Sequence, residues 1–291
     1  MKDQNNIAIV GTGKIAHSFC AALNKAKLPI SIIIGRELNK VKSLSKRFSV
    51  ANFSTDLSAL VGFNGLIFLA VPDSEIENIA KNLASLKLKW KNISVVHFSG
   101  SITVKALDIL EKLGAKTGSM HIMQSFPSEK VVPIINSFAA IEINNLSLKK
   151  KLFKLAVALK LNPFEIKTEQ KALYHLTGVF VSNFMIANMY LAESLFKKTG
   201  IKNISFLELM KPIIKATQEN IFSVGIEKAL SGPIERGDVK TIELHIKRLK
   251  KEKASNELNA FKVLSLSLLT MIKTEKGSLT ASQKEIERML K

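Results

Sequence analysis

Four short apolar runs in the first hundred residues each lead into a window with helical periodicity. "IAIV" at Ile7 precedes a window from Lys14 to Lys27, and "ISIII" at Ile30 precedes one from Leu38 to Phe48. "GLIFLAV" at Gly65 precedes one from Ser74 to Leu86, and "ISVVHF" at Ile93 precedes one from Thr103 to Leu113. Runs that are apolar at every position suit strands covered on both faces, and their alternation with helices predicts a parallel sheet with crossover helices. Further strands are expected at "AKTGSMHI", at "SFAAIEI" and near "NPFEI", the last after the helix "LSLKKKLFKLAVAL". From about Thr168 the character changes. Helical windows follow one another over Glu169–Lys198, Ile204–Ala229, Val239–Lys250, Ser255–Lys273 and Ala281–Leu290, with no strand expected among them. The expectation is a doubly wound α/β domain over residues 1–167, followed by an all-helical domain over 168–291.

The first strand runs into "GTGKIA", a G-x-G-x-x-A turn at Gly11–Ala16. Gly11 permits the tight strand-to-helix turn, Gly13 lets the backbone approach a pyrophosphate, and Ala16 is small enough for the helix to pack on the sheet. The unpaired N–H groups at the helix start, over Thr12, Gly13, Lys14 and Ile15, favour an anion. A glycine turn alone can be structural, but this one sits between a strand and a helix at the first strand of the chain. That context makes it a dinucleotide site of the Rossmann type.

The second strand separates the two nicotinamide cofactors. An acidic residue there would take the ribose 2′-hydroxyl of NAD, whereas an arginine accommodates the 2′-phosphate of NADP. Here the strand ends in Gly35 and Arg36, with Lys40 a turn later. NADP is therefore expected, with NAD as the alternative because Glu37 is adjacent. After "GLIFLAV", Val71 and Pro72 would line the cofactor's path, and Asp73 is expected to cap the next helix.

Composition bounds the partners. The 291 residues carry 43 basic and 24 acidic side chains, a net charge of +19. The lysines are dispersed, without an arginine-rich arm or basic–aromatic interleaving, so they read as solvated helix faces rather than a nucleic-acid surface. The single cysteine, Cys20, excludes a disulfide framework and reads as a buried thiol. No signal peptide is apparent in "MKDQNN", and a cytoplasmic location is expected. The apolar segment "ALYHLTGVFVSNFMIANMYLAES" carries His175, Asn183 and Asn188, which would be costly in lipid; it is expected to be a buried helix, not a membrane span.

Several motifs together resemble the Rossmann-like oxidoreductase family that carries domain of unknown function 2520. They are "GTGKIA", "HFSGS" at His97–Ser101, "GSMHIMQSFP" at Gly118–Pro127, "YHLTGVFVSNF" at Tyr174–Phe184 and "ALSGPIERGD" at Ala229–Asp238. The family is similar, at a distance, to pyrroline-5-carboxylate reductases and 6-phosphogluconate-type dehydrogenases. The resemblance implies a Rossmann domain with a helical, dimerising second domain, and NADP-dependent oxidation or reduction of a small molecule. The sequence departs from the family's usual "HP" by having Ile122 after His121.

Hydride transfer needs the nicotinamide, a positioned carbonyl or imine, and a proton source. Ser99 and Gly100 sit at a strand end and could approach the nicotinamide, or form an ordinary turn capped by Ser99 or Ser101. His121, expected just after the sixth strand, can donate a proton near neutral pH. His175 and Asn183 share one helical window, roughly 80° apart at about 100° per residue, so both could border one cleft; taken alone, His175 reads first as a satisfied core histidine. Gln124 follows His121 in the same motif. In "SGPIERGD", Gly232, Pro233 and Gly237 read as a turn, with Asp238 as a helix cap. Arg236 could pair with Asp238 or hold a substrate carboxylate. The expected activity is an NADP-dependent oxidoreductase acting on a small carbonyl or imine compound, with a non-catalytic NADP-binding sensor as the alternative.

Overall fold

The computed structural model describes residues 6–291. The polar segment through Asn5, on which the absence of a signal peptide was read, lies outside the described residues. The chain divides into a unit ending at Ser182 and a second unit, Asn183–Lys291.

The first unit is built on one eight-stranded sheet in the order β3-β2-β1-β4-β5-β6-β7-β8. Its strands are β1 Ile7–Val10, β2 Ile30–Ile34, β3 Phe53–Ser54, β4 Gly65–Leu69, β5 Ile93–His97, β6 Lys116–Ile122, β7 Phe138–Glu142 and β8 Asn162–Glu165. The helices of this unit are α1 Lys14–Lys25, α2 Leu38–Arg47, α3 Ile76–Ala84, α4 Asp108–Lys112, α5 Leu146–Ala158 and α6 Lys171–Gly178. The apolar runs are explained by two-sided burial. Ile7 and Ile9 face a core completed by Phe19 and Leu23 of α1 and Leu148 and Leu152 of α5. Ala8 and Val10 face a second core with Ile76 and Leu83 of α3 and Leu110 of α4. Strand side chains alternate between faces, so a strand covered on both sides has no position left for a polar residue.

The sheet is mixed rather than parallel. β6 and β7 pair antiparallel, and β7 and β8 pair parallel to each other. The cause lies in the connection: residues 123–137 contain no helix, so nothing carries the chain back across the sheet before β7. α5 then supplies a crossover, and β8 runs beside β7. The two-residue β3 carries too short an apolar signal to be read in the sequence.

The second unit is helical throughout: α7 Phe184–Lys198, α8 Phe206–Val224, α9 Ile226–Ala229, α10 Pro233–Arg236, α11 Val239–Lys251, α12 Ser255–Lys276 and α13 Ala281–Leu290. Its core is Ile234, Ile242, Ile246, Leu269, Ile272, Leu279, Ile286 and Leu290, all from α10 to α13 and the α12–α13 connection. Asp238 caps α11, accepting from the Thr241 N–H at 3.1 Å and from its hydroxyl at 2.7 Å.

α6 continues through a π-helical turn, Val179–Asn183, into α7. The helical segment Thr168–Lys198 is long and apolar enough to cross a membrane by length and composition, and none of its apolar window is buried. This overturns the expected buried helix.

Candidate functional site

Strands β1 to β6 run parallel and end at the same edge, and the site residues of the first unit are placed there by strand ends. β2 delivers Arg36, β1 the glycine turn, β4 Val71 to Asp73, β5 Ser99 to Ser101, and β6 His121. In open α/β sheets this carboxyl edge is where ligands bind, at the point where strand order reverses. That reversal falls here between β1 and β4.

At the β1–β2 end, a cleft of about 790 Å³ is lined by Gly11, Thr12, Gly13, Arg36, Val71 and Pro72, among others. The two glycines are required for different reasons. Gly11 has φ +113°, and a Cβ there would fall 2.2 Å from the carbonyl oxygen of Ala70, so the fold itself demands glycine. Gly13 caps α1 with φ −72°, and a Cβ would meet only the Ala70 oxygen, at 3.4 Å. Neither backbone nor packing forbids a side chain at 13. What glycine preserves there is open space before the N–H groups of α1, which suits a pyrophosphate. Lys14 and Ile15 form the first turn of that helix.

Arg36 is 80% exposed and reaches to 4.0 Å from Glu75. Glu37 is held by Lys40 at 2.8 Å, so its carboxylate is already engaged. Cys20 is buried in α1, and burial pushes its thiol up to about 12, as expected of an inert core cysteine.

At the β5–β7 end the construction is denser. The Ser99 hydroxyl accepts from the N–H groups of Ser101 and Ile102, at 3.2 and 2.9 Å, and donates to Asp73 at 2.7 Å. Ser99 is thus the cap of its turn. Asp73 is not a helix cap: its carboxylate also accepts the Ser101 hydroxyl at 3.0 Å, tying the β4 loop to the β5 loop. His97 is fully buried, and its Nδ1 accepts the Ser99 N–H at 3.2 Å. Burial and the Lys171 ammonium lower it to about 4, so it is a neutral structural imidazole.

His121 lies within β6 rather than after it, paired with Ala140 of β7. Ile122 is buried in the core. Strand alternation then points Ser119 and His121 to the opposite face, toward α6. There the His121 Nδ1 lies 3.1 Å from the Tyr174 hydroxyl, and its ring centroid is 5.9 Å from that of His175. Burial, His175 and Lys171 lower His121 to about 4 against the opposing Asp73. Burial also raises Tyr174 to about 12. At neutral pH the phenol keeps its proton and His121 is uncharged; the tautomer in which the phenol donates to Nδ1 places the imidazole hydrogen on Nε2.

Gly100 sits against both imidazoles. A Cβ there would fall 2.7 Å from Cδ2 of His175 and 2.8 Å from both Cδ2 and Nε2 of His121. The structure therefore brings Ser99, Gly100, His121 and His175 together. His175 is half-buried, not a core histidine. Behind these residues lies a group that sequence reasoning missed: Lys171 and Glu142, 3.0 Å apart and each only 2% exposed at the side chain. Burial would raise Glu142, but Lys171 and hydrogen bonds from Thr168, Lys171 and Ser119 hold its carboxyl below the ordinary value. A lysine at the polar start of an apolar helical window was the available signal.

The remaining candidates are not part of this cluster. The Gln124 amide oxygen accepts the N–H of its neighbour Ser125, at 2.8 Å. Asn183 is exposed and closes the π-helical turn, so the gap from His175 does not run at a constant 100° step. Arg236 is exposed at the end of α10, and no salt bridge joins it to Asp238 among the described residues. Both belong to the second unit.

Fold and glycine turn define a Rossmann-type protein with a helical second unit. Residues 6–97 match the family model "NADP oxidoreductase coenzyme F420-dependent", and residues 137–268 match the model "Domain of unknown function (DUF2520)". Over these two regions the chain is similar to an uncharacterised oxidoreductase-like family. Among solved structures it is similar to a Bacteroides fragilis protein described as an NADP oxidoreductase, with 23% identity and a TM-score of 0.75 over 91% of this chain and 98% of that one. A reductive aminase from Aspergillus terreus, solved with NADPH and ethyl-5-oxohexanoate, is 12% identical over 99% of this chain and 92% of its own, with a TM-score of 0.62. A pyrroline-5-carboxylate reductase from Coxiella burnetii is 14% identical over 96% of this chain and 100% of its own, with a TM-score of 0.58. At these identities the likeness establishes the fold. No curated protein matches the sequence.

Proposed function

We propose that the chain is an NADP-dependent oxidoreductase that passes a hydride to or from a small carbonyl or imine compound. The observation that carries this reading is the order of groups along one sheet edge. The glycine turn and Arg36 stand at one end, and a ring cluster built on Gly100 stands two strands away. In this reading Gly11, Thr12, Gly13, Lys14 and Ile15 hold the pyrophosphate and Arg36 takes the 2′-phosphate. Val71, Pro72, Ser99 and Gly100 line the nicotinamide half. Bound NADPH would supply the hydride. The NADPH held by the fungal reductive aminase of the same fold supports the cofactor assignment.

His121, kept neutral, is suited to polarise a carbonyl or imine through Nε2–H, as a neutral imidazole donor does not need to be charged to act. Tyr174 holds it in that tautomer. His175, half-buried beside it, is the proton source in this reading. Gln124 is assigned as a substrate contact of this site, while Asn183, in a π-helical turn of the kind frequent at functional sites, and Arg236 are the candidate contacts carried by the second unit.

A second copy of the chain is the partner assigned to the helical unit. Ile186, Tyr190, Leu207, Ile213 and Phe222 are exposed apolar side chains on α7 and α8, Phe222 to 88%. A face of this kind marks an interaction surface. A membrane is disfavoured because Lys171, at the start of the same helical segment, is locked into the sheet unit by Glu142. Nucleic acid is not assigned as a partner, and the reading places the protein in the cytoplasm.

The test is direct. NADPH fluorescence titration of the wild-type protein should saturate, and a carbonyl and imine screen should find NADPH consumption. Replacing Arg36 with Ala should weaken NADPH about tenfold, ~1.4 kcal/mol, and leave NADH alone. Equal loss for both cofactors would remove Arg36 from the 2′-phosphate, and no turnover across the screen would remove the catalytic reading.

A further inference from the structure

We propose that Lys171 is a positioning residue: paired with Glu142, it fixes the Ser99–Gly100 turn beneath the imidazoles of His121 and His175. The link to hydride transfer rests on the function proposed above, while the geometry stands on the chain alone.

All three hydrogens of the Lys171 ammonium are taken. Nζ donates to the Ser99 carbonyl at 3.1 Å and the Ser119 hydroxyl at 2.7 Å, and faces Glu142 Oε2 at 3.0 Å. At 1% exposure neither solvent nor substrate reaches it. Lys171 therefore has no proton to offer a reacting group. Glu142 is equally committed: Oε2 accepts from the Val104 N–H at 3.0 Å and the Ser119 hydroxyl at 3.1 Å, and Oε1 from the Thr168 hydroxyl at 2.8 Å. The pair joins the segments after β5 to β6, β7 and the start of α6.

Stability does not explain the choice of charges. A buried ion pair is often no better for the fold than two well-packed apolar residues. What apolar residues could not do is hold the Ser99 carbonyl. That carbonyl belongs to the peptide leading into Gly100, the residue with no room for a Cβ between the two imidazoles. With both rings packed this closely on Gly100, the position of the turn bears directly on them. Lys171 also acts through its charge. The groups that bear on His121 are Lys171, Tyr174 and His175 from α6 and Asp73 from the β4 loop.

The experiment uses the full chain with isotopically labelled histidine, without substrate. The double variant Lys171→Met with Glu142→Gln removes the charges together, and Ser119→Ala removes one contact of each while keeping both charged. Resonances are assigned through single histidine replacements. In the double variant the His121 titration should move up from about 4, with burial and His175 still holding it below the ordinary value. The His121 and His175 ring resonances should shift while those of His17 and His245 stay in place, and NADPH should bind several-fold more weakly. In Ser119→Ala, the His175 resonance should shift without a change in charge. A folded double variant with the His121 titration unmoved overturns the proposal. If the double variant does not fold, an unmoved His175 resonance in Ser119→Ala overturns it. Failure of the wild-type protein to bind NADPH would sink the cofactor reading and leave the histidine measurements fully readable.

Discussion

The two ends of the sheet's carboxyl edge are built in opposite ways. Around the glycine turn, the backbone carries the chemistry and the side chains are open: Arg36 is mostly exposed, and Glu37 pairs locally with Lys40. Around Gly100, side chains carry it, and they are buried and mutually satisfied: Glu142 and Lys171 account for each other and for Ser99, Ser119, Thr168 and Val104. A backbone cradle can wait for an anion because N–H groups at a helix start are solvated when empty. A buried ion pair must be complete at all times, since a lone charge there has no water to turn to. One end is a receptor and the other a fixed frame.

Removing one partner from the frame is the harshest way to break this comparison. Lys171→Ala should leave Glu142 buried and unpaired, costing about 3–5 kcal/mol in urea unfolding, whereas Arg36→Ala should leave the unfolding midpoint unchanged. If Lys171→Ala were as benign as Arg36→Ala, the frame would be water-accessible and the contrast would fall.

The same contrast decides what the sequence makes legible. The glycine turn is contiguous, so Gly11, Gly13 and the strand and helix around them can be read from a dozen letters. Gly100 and His121 were also legible, as strand-end residues, and His175 as a polar residue in an apolar window. The frame was not, because Asp73, Glu142 and Lys171 reach Ser99 from separate elements whose meeting depends on sheet order. Asp73 shows the limit well: locally it looks like a helix cap, and only the pairing of β4 with β5 puts it opposite Ser99 and Ser101. The antiparallel turn into β7, which delivers Glu142 beside Ser119, is likewise hidden, since its cause is the absence of a helix over residues 123–137. The exposure of α7 and α8 escaped for a different reason. Apolar periodicity says that a face will be covered, not by which chain.

Acid should act on the frame and spare the receptor. His97 and His121 each fall from 6.5 unfolded to about 4 folded. Between those values the unfolded chain binds protons that the folded chain refuses. Their contribution to stability is therefore complete above pH 6.5 and lost as pH falls toward 4, at up to about 1.4 kcal/mol per pH unit for each histidine. Urea midpoints measured at pH 7, 6 and 5 should decline, and His121→Asn should flatten the decline. A slope identical to wild type would mean that His121 titrates freely in the folded protein.

The gentlest substitutions separate the two functions inside the receptor itself. Gly11→Ala must place a Cβ 2.2 Å from the Ala70 oxygen at φ +113°, and should destabilise the fold by more than about 1 kcal/mol. Gly13→Ala meets no protein atom closer than 3.4 Å, so its unfolding should stay within about 0.5 kcal/mol of wild type. Its effect belongs to the ligand: the added methyl occupies the space before the α1 amides, and NADPH binding should weaken by about tenfold. Calorimetric titration of both variants beside their urea curves makes the separation visible. Gly13→Ala with wild-type NADPH affinity would show that the pyrophosphate does not approach this backbone, and that glycine at 13 has no ligand to make room for.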